Sequence, residues 1–141
     1  MSESLGQKQR RFAAALPLLI VHARMLGFEV ALGEASRTDE QAEINAMGPL
    51  AREGVAKLIE AIYKDLAAAI RNNGRAGGIR NSLHQLRLAI DLHLYKDGVY
   101  QTDTEAHREL GTYWESLAPD HAWGGHFGDG NHYAITHNGV R

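Results

Sequence analysis

The stretch from Gly78 to Tyr95, GIRNSLHQLRLAIDLHLY, places a carboxylate on what otherwise reads as an apolar strand. From Leu88 onward the side chains alternate: Leu88, Ile90, Leu92 and Leu94 share one face, and Ala89, Asp91, His93 and Tyr95 share the other. A carboxylate on a buried strand is costly unless it is protonated, hydrogen-bonded or bound to a cation. With His84 seven residues before Asp91, a metal ion is the economical partner. A straight strand would hold the two about 23 Å apart, whereas ligands lie about 2 Å from a shared ion. The chain must therefore fold back between them, with Gln85, Leu86 and Arg87 making the bend.

A third ligand is needed, and the segment WGGHFGDGNHYAI offers one. Asp129 precedes His132 by three residues, after a loop containing Gly124, Gly125, Gly128 and Gly130, and just before a short apolar alternation. Two histidines and one carboxylate, with a fourth position left to water, form the ligand set of a catalytic zinc site. Asp129 would be the base beside that water. On the residues alone, His93 rivals His132 as second histidine, because it shares the face of Asp91 about 6.6 Å along the strand.

These residues resemble those of zinc peptidases acting on peptidoglycan, a family that includes VanY-like D-Ala-D-Ala carboxypeptidases and phage L-alanyl-D-glutamate endopeptidases. The resemblance rests on Ser82-x-His84, Ala89-x-Asp91 and Asp129-x-x-His132, and extends back to Arg37-Thr38 with Gln41. It covers roughly the whole chain apart from an unusually long middle segment. It implies that His84, Asp91 and His132 bind Zn2+, so that His132 is preferred over His93, and that Asp129 is the general base. It also implies that Arg37 contacts substrate and helps stabilise the oxyanion, with Ser82 in the pocket wall and Gln41 among the substrate-binding residues. The family often has glycine where this chain has Arg87; if that position takes positive φ, arginine is strained there.

With 141 residues the chain is most simply one domain, 1–141, large enough to form a core without staples. The absence of cysteine excludes disulfides and thiolate zinc sites. A net charge of -2 and the lack of a basic run interleaved with aromatics argue against a nucleic-acid partner. Lys8, Arg10 and Arg11 before the apolar run Phe12 to Val21 have the charge order of a signal peptide. Pro17 and the poor cleavage site His22-Ala23-Arg24 favour a core helix instead, with Leu5, Phe12, Leu16, Leu19 and Ile20 inward and Pro17 kinking it or opening a second helix.

A strand over Phe28 to Gly33, with Val30 and Leu32 inward, delivers Arg37, and Thr38 with Gln41 forms a capping box for a helix to about Ala46. The longest helical pattern runs from Pro49 to Asn73 and is read as structural packing, followed by the flexible loop GRAGGIR. Beyond the metal strand, Lys96-Asp97-Gly98 reads as a hairpin turn. A second capping box, Thr102 to Glu105, opens a helix bearing Leu110, Tyr113, Trp114 and Leu117, which ends by Pro119. Trp114 is a core residue; Trp123 is a wall of the cleft or a hydrophobic lid. His22 and His107 read as surface or boundary residues, and His121 and His137 as loop residues without a role. His126 is a solvated loop histidine or, functionally, a substrate contact or proton donor near the water.

The expectation is a compact α+β domain, Hedgehog/DD-peptidase-like, whose small antiparallel sheet bears a zinc site with helices packed alongside. The resemblance, the short chain and the unconvincing export signal imply a phage endolysin hydrolysing L-Ala-D-Glu in the peptidoglycan stem peptide. Such a protein is made in the host cytoplasm and reaches the periplasm once the membrane is permeabilised, as a monomer with no stable membrane association. A D-Ala-D-Ala carboxypeptidase is the alternative within the family. A non-catalytic zinc-stabilised wall-binding or phage structural module is the alternative of another class.

Overall fold

The computed structural model describes residues 3–36 and 82–140, together with the single helical positions Ala46, Pro49, Glu53, Ala56, Lys57 and Glu60. Arg37 and the capping box expected of Thr38 with Gln41 lie outside the described residues, as do most of the expected long helix and the expected GRAGGIR loop.

Helix α1 spans Leu5–Met25 and starts at a reciprocal capping box: the Ser4 hydroxyl accepts from the Gln7 backbone, and the Gln7 side chain accepts from the Ser4 backbone. Phe12, Ala15, Leu19 and Ala23 recur at three- and four-residue spacing and form its buried stripe. Pro17 lies inside this one helix and does not open a second. Gly27, at φ 87, then turns the chain into strand β1, Glu29–Leu32.

Strand β2 (Ala89–Lys96) is the centre of an antiparallel sheet ordered β1-β2-β5-β4, with β3 (Val99–Tyr100) also pairing with β2; β4 is His121–Trp123 and β5 is His132–Ile135. The expected hairpin is present, with Asp97 at φ 52 and Gly98 at φ 74. Helix α2, Arg108–Leu117, follows a 3-10 turn at Glu105–His107. Phe12 of α1 meets Trp114 of α2 edge to face at 5.8 Å, and the Trp114 indole N–H donates to the Ala134 carbonyl of β5 at 3.0 Å. The expected α+β architecture is thus the observed one.

Four local expectations are corrected. Leu32 is 59% exposed rather than inward, whereas Val30 is half-buried against the core as expected; β1 pairs with β2, and the Leu32 side chain is left uncovered. The capping box expected from Thr102 is not formed: the 3-10 turn begins after Thr104 without a side-chain cap, and the Asp103 Oδ1 ahead of it accepts from the Ala106 backbone at 2.8 Å. His121 belongs to strand β4, buried against Trp114 with its Nδ1 paired to the Trp114 carbonyl. His107, expected near the surface, is 2% exposed, with Nδ1 and the Tyr133 hydroxyl 2.9 Å apart.

Burial is the largest influence on His107 and pushes it down to about 4, aided by His93 and opposed by Asp103 and a hydrogen bond to the Gln101 backbone. Since its folded pKa lies below the ordinary 6.5, the unfolded chain takes up the proton first as the medium acidifies. The associated stability, about 3 kcal/mol at most, is complete above the unfolded value and is lost as pH falls from about 6.5 towards about 4. Thermal unfolding without added metal should show the wild type losing more stability between pH 7 and pH 4.5 than His107→Gln, whose side chain does not titrate. Parallel losses would contradict this account.

Candidate metal centre

Three side chains from three places in the chain bring one atom each to a common point. His84 Nε2 lies 3.3 Å from Asp91 Oδ1, Asp91 Oδ1 lies 3.2 Å from His132 Nδ1, and the two imidazole nitrogens are 3.1 Å apart. Among the described residues these three form the one group able to hold a metal ion.

The bend that delivers His84 occupies residues 83–87, with the Leu88 N–H donating to the Leu83 carbonyl at 2.9 Å and the Arg87 N–H to the His84 carbonyl at 3.1 Å. Ser82 is buried, and its hydroxyl accepts from the His84 backbone at 3.3 Å, so it shapes this bend rather than an open wall. Gln85 accepts from the Ser82 backbone, and Gln9 of α1 donates to the Leu86 carbonyl, each at 2.8 Å. Arg87 sits at φ 53, in the left-handed region anticipated for that position. A side chain there costs about 1–2 kcal/mol.

Asp91 is held from both sides of β2. On one side it faces His132 across the β2–β5 ladder; on the other, its N–H donates to the Glu34 carbonyl at 2.9 Å and its own carbonyl accepts from Gly33 at 2.7 Å. Burial pushes the Asp91 carboxyl up, but hydrogen bonds from His132 and His84 outweigh it and hold the group well below the usual carboxylate range. The carboxylate therefore keeps its charge.

His132 is set by the loop before it. The Asp129 N–H donates to the Gly124 carbonyl at 3.0 Å, and the His132 N–H donates to the Asp129 carbonyl at 3.1 Å. Gly124 has to be glycine: a Cβ there would stand 2.3 Å from the Asp129 carbonyl oxygen and 2.8 Å from the His132 Cβ.

The triangle fits a divalent ion better than it fits hydrogen bonding. Tetrahedral coordination at about 2.0–2.1 Å separates neighbouring ligand atoms by about 3.3 Å, close to all three edges. Without an ion, both imidazoles can donate to Asp91 only by turning two N–H groups towards each other across the short nitrogen–nitrogen edge. His84 Nδ1, on the other side of its ring, is buried without a partner among the described residues, so its polar contacts run through Nε2. Two nitrogens and one carboxylate oxygen are a donor set suited to zinc.

Asp129 remains outside the group; its side chain is exposed on the loop and borders a polar cavity of about 200 Å³ shared with Asp103, His107 and Asn131. His93, the rival ligand, lies beside Tyr100 with ring centroids 5.3 Å apart and does not join the triangle. Trp123 is corrected: it is 3% exposed, its ring fills the space left by Gly111 and Gly125, and its indole N–H donates to the Gly130 carbonyl at 2.6 Å. It therefore cannot line a cleft. His126 is exposed and tied to the Glu115 carboxylate, with its Nε2 3.0 Å from either oxygen. Sequence reading missed Gly124, although the glycine-rich loop was the visible signal, and also missed Phe127 beside His132.

No protein-family model matches the chain, and no curated protein does. Among solved structures, it is similar to a mutant of the vancomycin-resistance D,D-pentapeptidase VanY from a VanB-type cassette in complex with Zn(II), at 22% identity and TM-score 0.46, over 89% of this chain and 70% of that one. It is also similar to VanYB in complex with D-alanine-D-alanine, at 20% identity and TM-score 0.42, over 90% of this chain and 70% of that one.

Replacing Arg87 by glycine should remove the left-handed strain and raise stability by about 0.5–1 kcal/mol, after allowing for glycine's greater unfolded-state freedom. A lowered thermal midpoint would show that the arginine side chain contributes more than its backbone costs. Gly124→Ala should cost about 1–3 kcal/mol through overpacking and weaken zinc binding at least about 10-fold by moving His132. Isothermal titration of the metal-free variant checks this; wild-type affinity would refute it.

Proposed function

We propose that the chain is a zinc-dependent peptidase of peptidoglycan that hydrolyses the L-Ala-D-Glu bond of the stem peptide, as phage endolysins do. The observation that carries the reading is the convergence of His84 Nε2, Asp91 Oδ1 and His132 Nδ1 within 3.1–3.3 Å of one another. It is supported by a carboxylate three residues before His132, on the loop that sets that ligand's place.

A bound zinc ion would supply Lewis acidity there, lowering the pKa of water towards about 7 and polarising a carbonyl. The residues of the chain do the rest. Asp129 takes a proton from the attacking water as its oxygen adds to the scissile carbonyl carbon. The carbon–nitrogen bond then breaks, and Asp129 returns the proton to the departing amine. Arg37 and Gln41 are assigned to substrate, where a planar guanidinium suits a peptide carbonyl or stem-peptide carboxylate. The protein would act in the periplasm after the inner membrane is opened; no described helix is long and apolar enough to cross a membrane.

Digestion of defined muropeptides by the zinc-loaded protein, with products weighed by mass spectrometry, tests the reading. New amino-terminal D-Glu products support the endopeptidase. Release of free D-alanine alone would instead make the protein a D-Ala-D-Ala carboxypeptidase. Asp129→Ala should keep its zinc content and lose at least about 100-fold in activity, the scale expected of a positioned base. Undiminished activity would remove Asp129 from the chemistry. Zinc binding without cleavage of any muropeptide would favour the non-catalytic module.

A further inference from the structure

The 3-10 turn Gly124–Phe127 ends on an aromatic side chain that the core does not use. Phe127 is 57% exposed, and its ring centroid lies 6.5 Å from that of His132, tilted by 54°. Gly128, at φ 85, turns the chain immediately afterwards, so Phe127 stands on the loop that returns through Asp129 to the metal triangle. Trp123, at the head of the same turn, is buried. Of the other exposed large apolar residues, Leu18, Val21 and Met25 lie on α1, Leu32 on β1, and Val99 and Tyr100 on β3, where Tyr100 packs against His93 and Tyr95. Phe127 is thus an apolar surface held beside a metal ligand, on a loop whose other outward side chains, His126 and Asp129, are polar.

We propose that Phe127 is a specificity-determining wall of the substrate site, in contact with the side chain of the residue whose carbonyl is attacked. This inference rests on the peptidase reading. In both bonds under consideration, L-Ala-D-Glu and D-Ala-D-Ala, that residue is alanine, so the group received is a single methyl. A phenyl surface gains by covering a methyl and gains nothing from the charged D-Glu side chain on the far side of the first bond. The phenyl ring therefore orients the alanyl residue with its carbonyl towards the metal triangle.

The test compares wild type, Phe127→Leu and Phe127→Ala on muropeptides carrying either alanine or glycine at the acyl position of the cleaved bond. Phe127→Ala should lower kcat/KM on the alanyl substrate about 10-fold, mostly through KM, the scale of one methyl in an apolar contact. Phe127→Leu should stay within about threefold, and on the glycyl substrate wild type and Phe127→Ala should agree within about twofold. Zinc content and thermal midpoint should be unchanged, because the side chain is exposed. Equal kcat/KM for wild type and Phe127→Ala on the alanyl substrate would overturn the inference while leaving the peptidase reading intact. So would an equal penalty on the glycyl substrate. Wild-type protein that cleaves neither substrate would overturn both.

Discussion

Pairing of β2 with β5 in the register Asp91↔His132 is the constraint on which the rest of the molecule depends. Cross-strand partners are held about 5 Å apart by the ladder itself, so the pairing that builds the sheet also brings two of the three ligand atoms together. His84 then needs only the tight turn ahead of β2. That turn is fixed locally by Ser82 and Gln85, and from a distance by Gln9 of α1. The triangle therefore combines one sheet register with one reverse turn, and both are backed by hydrogen bonds the metal does not supply.

The loop before β5 adds a second layer. Its glycines do different things: Gly124 lets the backbone of Asp129 come close, Gly125 makes space for the Trp123 ring, and Gly128 turns the chain in a left-handed conformation. The buried tryptophan fixes the base of the loop through its bond to the Gly130 carbonyl, while Phe127 and Asp129 are left outside on its crown. A stiff base with an exposed crown is how a short loop can present side chains to a ligand without a helix of its own.

Much of this was legible in the chain. The alternation after Leu88 identified the buried strand and both its faces, the length of a straight strand required a bend at residues 85–87, and the spacing of Asp129 and His132 picked out the second ligand segment. What could not be read depends on neighbours in space. His107 and His121 sit on short elements where periodicity says nothing of burial; the Tyr133 that meets His107 is 26 residues away, and the Trp114 that meets His121 lies on the preceding helix. The two aromatics of the loop could not be told apart either. Which of Trp123 and Phe127 turns inward depends on the space left by Gly111, on another element. Leu32 misled for a related reason, since alternation predicts a face but not whether anything covers it.

Strand β2 speaks to two audiences at once. Its even positions, Ile90, Leu92 and Leu94, are committed to the interior, while its odd positions carry Asp91 and His93 towards the polar side. Ala89, also odd, is buried in the core, so only at Asp91 and His93 can substitutions retune ligand chemistry with less disturbance to packing than on the hydrophobic side. The exception is Gly33, where an added methyl would press within about 3 Å of both Asp91 and His93. At that one place, the bare backbone of a neighbouring strand limits how far the chemistry can drift.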